Sequence, residues 1–108
     1  MESVMLCEYS NTRISIRLMA CLEDGMLSLE GQDIGSTVNS LTGNLENKYI
    51  YALSREDTRL LDRLLRCEAD SNTSFLALVA ERFSGLLGCS NFRNFCDRSE
   101  IHYQFHTC

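Results

Sequence analysis

Six cysteines, two histidines and two adjacent carboxylate pairs are the side chains of this 108-residue sequence most capable of covalent, metal or acid–base chemistry. The cysteines are Cys7, Cys21, Cys67, Cys89, Cys96 and Cys108. The closest two, Cys89 and Cys96, stand seven residues apart, outside the two-to-four-residue spacing of a zinc knuckle. A disulfide framework would need an oxidising compartment. The stretch from Met1 to Ser10 carries Glu2 and Glu8 and no basic cluster ahead of an apolar run, the wrong charge sign for a secretory signal. The expectation is a cytoplasmic protein with reduced thiols, several buried as small hydrophobes, and with no metal and no cofactor.

Nucleophilic catalysis needs a nucleophile, a base and a group that orients the base. His102 and His106 fall in an alternating stretch with Gln104 between them, which puts them on one face of an extended strand about 13 Å apart. That is an exposed polar face and too wide for a two-histidine metal site. The pairs Glu23-Asp24 and Glu56-Asp57 sit where a turn and a helix start account for them. Gly31-Gln32-Asp33-Ile34-Gly35 has neither the basic residue nor the following helix of a phosphate loop. The sequence therefore points away from an enzyme.

The elements follow from periodicity. Val4 to Cys7 is a candidate short strand, and Ile14, Ile16 and Leu18 alternate with Ser15, Arg17 and Met19, a strand with one buried face. Asp24-Gly25 favours the positive φ angles of a tight hairpin turn, with Met26 to Glu30 as the returning strand. The glycines at 31 and 35 predict a bend, and Ser36 to Lys48 reads as a loop. Tyr49 to Leu53 is the next strand, with Tyr49 and Tyr51 on one face as sheet packing. Ser54-Arg55-Glu56-Asp57 resembles a capping box ahead of a helix with Leu60, Leu61, Leu64 and Leu65 on one side. Asn72-Thr73-Ser74 offers the cap of a second helix from Phe75 that ends near Gly85 or Gly88, and Asn91 to Asp97 forms a third with Phe92, Phe95 and Cys96 inward. Ile101, Tyr103 and Phe105 alternate in a closing strand. The sum is a single domain over residues 1–108 of the α+β class: an antiparallel or mixed sheet of about four strands with two to three helices packed on one face.

The net charge of −5 and a pI near 4.9 oppose nucleic acid as a ligand and favour a basic protein partner. No run approaches the roughly 18–20 apolar residues of a membrane span. Glu23, Asp24, Glu30, Asp33 and Glu46 form an acidic ribbon expected on turns and the long loop, where carboxylates can be presented without disturbing a core. These five are the candidate binding residues.

The stretch Leu27 to Gly35, followed by Tyr49-Ile50-Tyr51, a leucine-rich helix and the closing Ile101-His102-Tyr103-Gln104-Phe105, resembles small bacterial immunity proteins of polymorphic toxin and contact-dependent growth inhibition systems. The likeness spans most of the chain in outline, and its sharpest part is short. It implies an antitoxin that binds and neutralises a cognate toxin domain, often a nuclease, by covering its active site. The family carries no shared catalytic motif and its toxin-contact residues vary, so the resemblance assigns no residue. The alternative is a subunit without enzymatic activity that self-associates, as a homodimer, through an uncovered sheet face or edge strand.

Overall fold

The computed structural model describes residues 1–35, 46–69 and 72–107. Four strands lead: β1 (Glu2–Ser10), β2 (Ile14–Glu23), β3 (Met26–Gly35) and β4 (Glu46–Ala52). Three helices follow, α1 (Arg55–Ala69), α2 (Phe75–Phe83) and α3 (Gly88–Arg98), before a short closing strand β5 (Gln104–Thr107). Every neighbouring pair of strands is antiparallel, and their order in space is their order in the chain. The α+β architecture expected from periodicity holds, with five strands rather than about four.

Turn chemistry sets the hairpins. Asp24 and Gly25 have φ of 53° and 75°, the positive pair of a type I′ turn, whose twist matches the flanking strands. At the other end of β2, the Asn11 side-chain oxygen accepts from the Arg13 and Ile14 amides at 2.7 and 2.8 Å. This local bond replaces ladder partners at the reversal.

Five boundaries differ from the periodicity reading. β1 runs nine residues instead of four. β3 continues to Gly35 instead of bending at Gly31. Gly31 lies between Leu18 and Tyr49 in register, and the Tyr49 ring occupies the space a Cβ there would need. Here glycine marks a close side-chain approach, not a break. β4 starts at Glu46, so residues 46–48, expected as loop, pair with Ile34, Asp33 and Gln32. The remainder of that expected loop, residues 36–45, lies outside the described residues. α3 begins at Gly88, and His102 precedes β5 rather than lying in it.

The register divides the sheet into two faces. Ile16, Leu18, Ala20 and Leu22 of β2 share one face with Leu27 and Leu29 of β3 and with Tyr49 and Tyr51 of β4. Against it the helices bury Leu61 and Leu65, then Leu76, Val79 and Phe83, then Phe92, Phe95 and Cys96. Phe83 meets Phe92 edge to face at 5.4 Å between centroids, the preferred arrangement of aromatic quadrupoles.

Two further contacts fix the layers. Thr58, a buried polar residue, donates to the Ser54 carbonyl at 2.7 Å and accepts from the Leu27 amide at 3.0 Å, so the first turn of α1 is tied to β3. On β1 the register shifts between Met5 and Cys7, and the carbonyl of the bulged Leu6 accepts from Gly85 at 2.9 Å. The α2–α3 connection therefore interrupts the free edge of β1, a known protection against edge-to-edge pairing.

Candidate functional site

The structure brings together Ser54, Asp57 and His102, residue types that recur in hydrolases. The Ser54 hydroxyl donates to Asp57 Oδ2 at 2.9 Å and accepts from the Asp57 amide at 3.1 Å. The contact from His102 is its backbone N–H, 3.4 Å from Asp57 Oδ1. An activated serine needs an imidazole nitrogen on its hydroxyl. This arrangement instead caps α1, as the sequence of the capping box leads one to expect. Sequence spacing could not signal the approach of His102, which comes from 45 residues away.

Three of the thiols, Cys21, Cys89 and Cys96, are poor nucleophiles. Burial pushes Cys96 up to about 12, with Asp97 and Asp57 adding to the shift. Burial also pushes Cys21 up to about 11, and its hydrogen bond to Glu30 and the charges of Glu30 and Glu23 raise it further. Cys89 is raised by burial and donates to the Tyr49 hydroxyl at 3.8 Å. Thiolate chemistry requires the opposite shift. Among the described residues no three His, Cys, Asp or Glu side chains are placed to hold a metal ion, and no helix is long and apolar enough to cross a membrane.

What remains is the second face of the sheet. The residues of the single apolar core come from the helix-facing side of the strands, from the helices and from the segments next to them. Met5, Met19, Cys21, Ile34 and Ile50 point the other way and are outside that core. Met5 and Ile34 are 40% and 41% exposed, while Cys21 is only 5% exposed.

Cross-strand pairing gives this face its rows. Met5, Met19, Glu30, Ile50 and His106 lie side by side across all five strands. Beside that row run Glu8, Arg17, Gln32 and Lys48 on one side and Ser3, Cys21, Ser28, Ala52 and Gln104 on the other. From strand rise and spacing the face measures about 30 Å by about 20 Å, or roughly 600 Å². One partner of a standard protein interface buries about 800 Å², so this face is of the right order.

The five sequence-derived acidic residues are divided among different places. Glu23, Glu30 and Glu46 are on the open face. Asp24 is in the β2–β3 turn, where its backbone carbonyl accepts from Arg55 Nε at 2.7 Å. Asp33 is on the helix-facing side, half-buried. Burial raises its carboxyl above the usual range, and its Oδ1 has no hydrogen-bond partner among the described residues. Glu46 lies in a strand rather than in the expected loop and Asp33 in a strand rather than at the expected bend, while Glu30 is in the returning strand as expected. The ribbon is therefore not continuous: three members share a face, one edges it and one is behind it.

Their partners separate the three further. Glu46 accepts from Lys48 at 3.1 Å and from Gln32 at 2.6 Å, and these two bonds hold it below its ordinary range. Arg17 reaches Glu8 at 4.0 Å. Glu30 accepts from the Cys21 thiol at 3.0 Å, and among the described residues it has no ion pair. Met19 and Ile50 are not among the sequence-derived binding residues: alternation puts Met19 opposite the buried face, but only the register places it and Ile50 on either side of Glu30. A shallow depression of about 240 Å³ is lined by Arg17, Met19, Glu30, Gln32, Lys48 and Ile50.

Comparison with known proteins finds no family model that matches the sequence, and no similar curated protein or solved structure.

Proposed function

We propose that this chain is a cytoplasmic immunity protein that acts by binding, without catalysis of its own, and neutralises a toxin domain by covering a basic active-site surface, as of a nuclease. The observation that carries this reading is the open sheet face. Its central row sets Met5, Met19 and Ile50 beside Glu30, and the face bears four carboxylates, Glu8, Glu23, Glu30 and Glu46, against two cations, Arg17 and Lys48. Carboxylates there compete with an anionic substrate for the same basic residues, and the charge accelerates encounter. The overall charge of −5 adds to that attraction.

The test mixes the full chain with the toxin domain encoded by the adjacent gene, with calorimetry at about 50 and about 300 mM salt. A tight complex that weakens at the higher salt is expected. No binding at low salt ends the reading.

Self-association through the same face is the alternative. A two-fold axis through the centre of the face would bury Glu30 against its own copy, and two desolvated like charges oppose one another. Sedimentation of the isolated protein separates the two: a stable oligomer without any partner supports the alternative.

A further inference from the structure

Resting on that reading, we propose that the centre of the open face is a socket for a single arginine side chain of the partner, with Glu30 receiving the guanidinium and Met19 and Ile50 packing along its stem. Met19 and Ile50 are the direct cross-strand neighbours of Glu30, so the carboxylate stands between two apolar side chains, with Arg17 and Lys48 further out in the same depression. The nearest cations of the face, Arg17 and Lys48, are each engaged by another carboxylate, Glu8 and Glu46. Glu30 is the carboxylate of the central row, and the thiol of Cys21 on one of its oxygens leaves the other available. The Cys21 contact also fixes the rotamer, which lowers the ordering cost of binding.

Arginine fits this socket better than lysine. Its guanidinium is more weakly hydrated than an ammonium and is less costly to place between apolar side chains, while its stem covers apolar surface. A depression of about 240 Å³ is large enough for one such side chain and too small for a folded element. A second copy of this chain is disfavoured as the occupant, because its matching centre carries a glutamate.

The test titrates the isotope-labelled full chain with the blocked peptides acetyl-Gly-Arg-Gly-amide, acetyl-Gly-Lys-Gly-amide and acetyl-Gly-citrulline-Gly-amide, following backbone amides by NMR. The expected result is a set of shifts centred on Met19, Glu30 and Ile50 with the arginine peptide, at least twofold weaker binding of the lysine peptide and none of the citrulline peptide. Glu30→Gln keeps an acceptor for Cys21 and is expected to weaken the arginine peptide at least fivefold with the spectrum otherwise unchanged. Shifts centred elsewhere, equal affinity for lysine, or indifference to Glu30→Gln overturns the socket. If the socket fails while the toxin domain still binds, the antitoxin reading stands and contact lies elsewhere. If the toxin domain fails to bind, that reading falls whatever the peptides do.

Discussion

The ring of Tyr49 lies across Gly31 of the neighbouring strand, in the space that a Cβ on residue 31 would fill. A side chain at 31 must therefore displace an aromatic ring that also contacts Tyr51 and Phe105. Gly31→Ala is expected to cost about 1–3 kcal/mol in urea unfolding, the range for overpacking. Tyr49→Phe keeps the ring and loses only the 3.8 Å thiol contact, so a change within about 1 kcal/mol is expected. Tyr49→Ala in the Gly31→Ala background should cost less than the sum of the single changes, because the obstruction is gone.

Thr58 gives a second expectation. Thr58→Val removes the acceptor for the buried Leu27 amide and should cost about 1–3 kcal/mol. Thr58→Ser retains both hydrogen bonds and should cost about 1 kcal/mol or less for the lost methyl. Equal effects of the two substitutions would show that the hydroxyl does not join α1 to β3.

The buried thiols make stability depend on pH. Cys21 is raised from 9.0 to about 11 and Cys96 from 9.0 to about 12, so the folded state holds both protons more tightly than the unfolded chain. Their contribution is complete below pH 9 and is lost as pH rises through the folded values. The urea midpoint is expected to fall between about pH 9 and about pH 11, and less steeply in Cys21→Ala. A flat midpoint over that window contradicts the assignment. Brief alkylation of the native protein at about pH 8, mapped by mass spectrometry, should label the exposed Cys67 well before the buried Cys96.

The end of α3 offers a stabilising change. Glu100 has φ of 59°, and beyond it the Ile101 amide donates to the Cys96 carbonyl at 2.8 Å, the long bond of a Schellman motif. A left-handed conformation costs a non-glycine residue about 1–2 kcal/mol, offset in part by the greater unfolded freedom of glycine. Glu100→Gly is expected to stabilise by about 0.5 kcal/mol, read as a higher urea midpoint with an unchanged slope.

Local signals in the sequence carried most of the fold. Asp24-Gly25 marked the hairpin, Ser54 the start of α1 and Asn72-Thr73-Ser74 that of α2, where Ser74 is the cap, because each acts within three or four residues of itself. Gly31 misled, since the reason for it lies on another strand. Likewise Glu46 read as loop because its strand is recognisable only by pairing with Ile34. The acidic ribbon was legible as charge but not as geometry. A period of two places Glu30 and Asp33 on opposite faces once β3 is known to continue, and the expected bend hid that consequence.

Charge reversal at the centre of the open face tests the account most directly. Affinity for the toxin domain is measured for the unaltered chain, for Glu30→Lys and for the exposed helix control Arg63→Glu. The account expects Glu30→Lys to weaken binding at least 100-fold and Arg63→Glu to stay within threefold. A complex that tolerates Glu30→Lys within threefold, with the fold intact, would mean that this face is not where the partner sits.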